Sequence, residues 1–131
     1  MIRAILLYLL LATPALAHGP DDPDAAWFQS LKVPGDPMMP MTGSSCCNGG
    51  HGMDADCKNV EVRIRDGHWE AFIDSKTFPD VENYPLLGHA PNAWVRVPDG
   101  VIIRGRENPT GRSVACWFNQ VIRCFVQGTD S

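Results

Sequence analysis

Asp66-Gly67 separates two short runs in which apolar and polar residues alternate. An Asp-Gly dipeptide suits a two-residue type I′ turn, because that turn's backbone twist matches the twist of the strands it joins. Folding the chain about it sets Ile64 opposite Trp69, Val62 opposite Ala71 and Val60 opposite Ile73 on one side. The other side pairs Arg65 with His68, Arg63 with Glu70 and Glu61 with Phe72. A slip of one residue would mix the two faces, so the pattern itself sets the register. It predicts a hairpin over residues 60–73 with one apolar face, each cross-strand pair contributing about 0.2–1 kcal/mol.

Three further turn signals follow. Val97-Pro98-Asp99-Gly100 suits a type I turn joining residues 94–97 to 101–104. Asn108-Pro109-Thr110-Gly111 has the same turn chemistry and leads into residues 114–118. Asn119-Gln120 then separates that run from residues 121–126, a third hairpin. Cys116 and Cys124 fall on its two arms, though not opposite each other if the turn holds two residues. Six short strands predict a mainly β fold, a small antiparallel sheet or partial barrel. A short N-terminal helix precedes them, with Asp24 as N-cap, Trp27, Phe28 and Leu31 on its apolar side, and Pro34-Gly35 ending it. Residues 35–57 read as loop. Residues 75–92, with Pro79, Pro85 and Pro91, read as a candidate binding loop or, the favoured alternative, a flap that tucks Phe78, Tyr84, Leu86 and Leu87 into the core.

The first residues carry an export signal: Arg3, an apolar run over 5–12, a break at Thr13-Pro14 and a small-x-small site at Ala15-Leu16-Ala17. The expected organisation is a signal peptide over 1–17, a flexible lead-in over 18–23 and one β-rich domain over 24–131. The apolar run is shorter than the roughly 20 residues a bilayer demands, and no second run reaches that length. A secreted or periplasmic location follows. The chain's net charge is −4 and its basic residues are scattered, which argues against nucleic acid and anionic membranes as partners.

Export makes the five cysteines, Cys46, Cys47, Cys57, Cys116 and Cys124, a disulfide framework. Two bridges leave one thiol over, and each choice of that thiol leaves three pairings of the other four. Neither a C-x-x-C redox pair nor the two such pairs of a zinc ribbon is present. The vicinal Cys46-Cys47 can close on itself. The favoured reading has one of the two reaching Cys116 or Cys124, with Cys57 taking another partner.

Ser45-Cys46-Cys47 with Asp56-Cys57, Trp94-Val95-Arg96-Val97-Pro98, Asn108-Pro109-Thr110-Gly111, Cys116-Trp117 and Cys124-Phe125-Val126 together resemble a family of small exported bacterial proteins. Trp27-Phe28, Ser30-Leu31-Lys32 and Pro34-Gly35 fit the same pattern. The resemblance implies export and a cysteine framework but no activity. Similar proteins pass almost directly from Pro-Gly to the double cysteine. This chain inserts methionine-rich residues there, and a longer Gly-His-Met stretch between Cys47 and Cys57.

Those additions carry the sharpest chemistry. Met38, Met39, Met41, His51 and Met53 supply thioethers and an imidazole, suitable donors for Cu(I), and a reduced Cys46 or Cys47 would add a thiolate. Flexible methionines filling gaps over a sheet are the plainer account. His18, as a mature N-terminus, could chelate copper through its amine and ring, but a disordered terminus is the better reading. No G-x-S-x-G element is present, and no basic neighbour lowers the pKa of Cys46 or Cys47, so the balance lies against an enzyme. The leading expectation is a disulfide-stabilised binding or structural module of unknown ligand, with Trp27, Trp94, Trp117 and Phe118 contributing to core or groove. The alternative is a periplasmic copper-handling protein using the methionine residues.

Overall fold

The computed structural model describes residues 22–35, 42–47, 57–79 and 89–129. The Asp66-Gly67 hairpin forms in the expected register. Strands β2 (Val62–Arg65) and β3 (His68–Ile73) pair Val62 with Ala71, Arg63 with Glu70, Ile64 with Trp69 and Arg65 with His68. Asp66 and Gly67 take φ of 51° and 77°, the left-handed values a type I′ turn demands. A Cβ added at Gly67 meets no atom within 4 Å, so only the backbone angle opposes a side chain there. Gly67→Val is therefore expected to destabilise by about 1–2 kcal/mol in urea unfolding. An unchanged midpoint would count against the turn.

Burial along that hairpin is graded. Val60 is buried and Val62 half-buried, but Ile64 is 65% exposed, because the turn projects past the end of the core. Trp69 leans back over Phe125, with ring centroids 5.9 Å apart. Strand β4 (Ala93–Arg96) adds to the far side of β3, opposing Phe72 with Trp94 and Glu70 with Arg96. The first sheet is thus β2-β3-β4.

The second expected hairpin does not form. Pro98 is followed by one turn of 3-10 helix, Asp99–Val101, and residues 101–104 never pair with β4. Ile102 instead bridges Phe125 in parallel, and the Ile103 N–H donates to the Phe125 carbonyl at 2.8 Å. This path puts Ile102 against one apolar cluster and Ile103 against another. Beside β4 the two adjacent side chains would point to opposite faces, only one of which is packed.

The second sheet, β1-β5-β6, comprises β1 (Cys57–Asn59), β5 (Val114–Phe118) and β6 (Val121–Val126). Strand β1 falls inside the stretch expected to be loop at its Cys57 end. It is recruited by β5, with Cys57 opposite Cys116 and Asn59 opposite Val114. Asn119 and Gln120 both take positive φ, 50° and 65°, giving the expected two-residue turn with Phe118 opposite Val121 and Trp117 opposite Ile122. A register shift follows, and Cys116 comes to oppose Cys124 directly. The two-residue count had kept them apart. The difference is a bulge that leaves Arg123 as the extra residue, its guanidinium Nη2 3.3 Å from the Ser45 carbonyl oxygen and 3.4 Å from Ser44 Oγ.

This sheet is the middle layer of the fold. Ala115, Trp117 and Phe125 face the first sheet, while Val114, Cys116, Cys124 and Val126 face α1 (Ala25–Ser30) and the cysteine loop. Burial on both faces explains why β5 and β6 read as nearly continuous apolar runs. Helix α1 sets Phe28 and, just past its end, Leu31 into the second cluster. Asp24 holds the N-cap position but makes no side-chain cap hydrogen bond, and the Asp22 carboxylate accepts from the Asp24 N–H instead. Of the flap, Phe78 is buried as expected, and Tyr84, Leu86 and Leu87 lie outside the described residues. The Asp74 carboxyl that opens this segment is held below its usual 3.8 by hydrogen bonds from the Thr77 hydroxyl and N–H, a turn-forming role. No helix among the described residues is long and apolar enough to cross a membrane.

Candidate functional site

Among the described residues, an open groove along β2 and a buried cluster of sulfur atoms stand out for their chemistry.

The groove exists because the chain changes sheets. Strand β1 pairs with β5, and the Val60 N–H still reaches the Ser113 carbonyl at 3.0 Å. Beyond Val60 the chain diverges to join the other sheet, opening a wedge of about 880 Å³ between β2 and Arg112, Ser113 and Gln127. Strand β2 is an edge of its sheet. The Phe72 N–H donates to the Glu61 carbonyl, so Glu61, Arg63 and Arg65 are the residues that bond to β3. By antiparallel alternation the N–H and C=O groups of Val62 and Ile64 point the other way, along the groove wall. Two hydrogen-bonding stations on an exposed edge, one carrying an exposed isoleucine, are what such sheets ordinarily blunt with charge or proline.

Aromatic rings line the wedge on either side. Trp69 lies on the Ile64 face. Trp94 lies on the other, packed against Phe72 at 5.3 Å between ring centroids, with the Arg63 guanidinium 4.3 Å above its ring. Arg63 is itself neutralised by Glu70. An occupant would thus meet backbone and aromatic surface more than net charge. A corner built on Asn108 braces the opposite wall. Its buried amide donates to the Arg112 carbonyl at 2.9 Å and the Gln127 carbonyl at 3.2 Å, while its Oδ1 accepts from the Thr110 N–H.

The sulfur cluster lies on the far face of the middle sheet. Cys46 is bonded to Cys124 and Cys57 to Cys116, and Cys47 lies outside both bridges. One of the vicinal pair reaches the last hairpin while Cys57 takes another partner, in the favoured sense. Cys57, Cys116 and Cys124 occupy one row across β1, β5 and β6, each opposite the next. The Sγ atoms of Cys46, Cys116 and Cys124 lie within 4.8 Å of one another, as do those of Cys47, Cys57 and Cys116. All five residues are buried.

Of the other sequence candidates, Met38, Met39, Met41, His51 and Met53 lie outside the described residues, as does His18. The residues flanking the two methionine-bearing stretches are described. Gly35 lies against Thr42, and the Cys47 and Cys57 sulfurs lie within the same 4.8 Å set. Trp94 stands at the groove. Trp117 is core, Trp27 covers the second cluster and donates to the Glu107 carbonyl, and Phe118 carries the Arg123 guanidinium over its ring. Sequence reasoning missed the β2 edge, since alternation tells which face is apolar but not which strand is outermost.

Compared with protein-family models, curated proteins and solved structures, the chain matched none.

Proposed function

We propose that this protein is an exported, disulfide-stabilised binding module that takes up an extended peptide segment along β2. The observation that carries the reading is the strand edge in the groove. Val62 and Ile64 offer backbone donors and acceptors at the spacing an added antiparallel strand requires, with Trp69, Trp94 and Ile64 as apolar contacts for alternate side chains. Two disulfides suit the oxidising compartment that the N-terminal export pattern implies.

The test is a linear peptide library displayed on phage, selected on the wild-type protein and then measured against Val62→Pro. Proline removes an N–H that points away from β3, leaving the β2–β3 ladder intact, and its ring obstructs an incoming strand. Selected peptides should bind the variant about tenfold more weakly or worse, given about 0.5–1.5 kcal/mol per lost hydrogen bond plus the clash. They should also protect the Val62 and Ile64 amides from hydrogen exchange. Equal binding to a folded Val62→Pro variant, or no protection there, would remove the groove from consideration.

Copper handling through Met38, Met39, Met41, His51 and Met53 is the second reading. What favours it is that the two stretches bearing these donors each leave from and return to closely spaced residues, one of them at the sulfur cluster.

A further inference from the structure

We propose that the sulfur cluster is a thiol–disulfide exchange site in which Cys47 and Cys57 compete for a bond to Cys116. Cys116 is the hub: its Sγ belongs to both sets of three sulfurs within 4.8 Å. The register explains why. Cys116 faces Cys57 across one strand boundary and Cys124 across the other, the latter only because the Arg123 bulge advances β6 by one residue.

The first step is redox-neutral. The Cys47 thiol loses its proton, and the thiolate attacks Sγ of Cys116. A Cys47–Cys116 bond forms as Cys57–Cys116 breaks, and the electron pair leaves on the Cys57 sulfur, which takes up a proton. Attack on Cys57 instead forms Cys47–Cys57 and releases Cys116. A released Cys116 lies beside the Cys46–Cys124 bond and can attack it in turn, passing the thiol to Cys46 or Cys124 by the same balance. Every step conserves two disulfides and one thiol. Cys47 is 7% exposed and the other four cysteines less, so a bulky external thiol reaches the cluster far less readily than its own members do.

Exchange changes what the bridges hold. In the observed pairing Cys57–Cys116 clamps β1, a three-residue edge strand, to β5. In the Cys47–Cys116 isomer both vicinal cysteines tie the loop to the sheet, and β1 keeps only its backbone hydrogen bonds.

Native protein held at mildly alkaline pH and then quenched in acid, which protonates thiolates and stops exchange, provides the test. Thiols are labelled with a maleimide in acidic guanidinium, and label and bridges are mapped by mass spectrometry without reduction. The expected result is a Cys47–Cys116 or Cys47–Cys57 peptide, with at least about 1% of the label moved off Cys47, the ordinary population of a minor state. Label on Cys47 alone would overturn the proposal. Cys47→Ser must retain both observed bridges and take no label, and exchanged pairs there would place the chemistry in the quench and overturn it equally. Cys57→Ser should pair Cys47 with Cys116 and leave no thiol to label. Separate labelled thiols at Cys47 and Cys116 in that variant would count against the geometry.

Discussion

Replacing Cys46 and Cys124 together by alanine should lower stability by about 2–5 kcal/mol, the range for removing a native disulfide from a small exported domain. The bridge spans 78 residues of sequence, so its loss restores a large loop entropy to the unfolded chain. The folded state loses as well. Both sulfurs are fully buried, and residues 42–47 are otherwise tied to α1 and its extension by few backbone bonds, among them the Cys46 N–H to the Leu31 carbonyl at 3.0 Å. Phe28 and Leu31 therefore depend on this bridge for their seat in the second cluster. Changing both residues avoids leaving a lone thiol beside Cys116. Urea unfolding followed by tryptophan fluorescence measures the effect. A loss under about 0.5 kcal/mol, the size of an ordinary surface change, would mean that the bridge constrains nothing the fold requires.

Gly128→Ala should also be among the costliest single changes, though it adds one methyl group. A Cβ on Gly128 would lie 2.5 Å from the Ser113 N, 2.6 Å from the Arg112 carbonyl carbon and 2.7 Å from the Gly111 oxygen. All three are backbone atoms and none can rotate aside, so the two chain segments must separate. The same residue donates its N–H to Ser113 Oγ at 2.9 Å, and the Asn108 amide spans the two segments just beside it. Overpacking of this kind costs about 1–3 kcal/mol, occasionally more. The expected result is a loss at the top of that range in the guanidinium midpoint. Because Arg112, Ser113 and Gln127 form one wall of the groove, affinity for a selected peptide should fall in parallel. An unchanged midpoint would show that the Asn108 corner is looser than described.

The two effects bear on different parts of the proposed function. The Cys46–Cys124 bridge supports the face away from the groove, and its loss should weaken peptide binding only through global stability. Gly128 supports the groove wall itself. Measuring peptide affinity well below each variant's melting temperature separates the two.

What the sequence by itself determined is what adjacent residues decide. The Asp66-Gly67 turn, the Asn119-Gln120 turn and the β2–β3 register follow from backbone angles that few residues adopt and from alternation with a period of two. The mainly β class and the short helix around Phe28 and Leu31 follow from the same local rules. Tertiary structure decided everything that depended on a distant partner. Ile102 and Ile103 carry a legible strand pattern, yet pair with Phe125 rather than β4, because that route packs both side chains, each half-buried, against an apolar cluster. Asp99 and Gly100 form a turn either way, so their chemistry could not distinguish the two. The cysteine pairing was settled by two long-range features: the β1–β5 register, which sets Cys57 opposite Cys116, and a bulge at Arg123, which turns Cys124 to the face of Cys116 and Cys46. The Arg123 side chain reaches Ser44 and the Ser45 carbonyl, far away in sequence. No local signal marks that residue as the one to be displaced. The groove edge, too, arose only when β1 and β2, nearly continuous in sequence, joined different sheets. Local propensities act within a turn or two of chain, whereas which strand is outermost, and which sulfurs meet, are set by burial summed over the whole core.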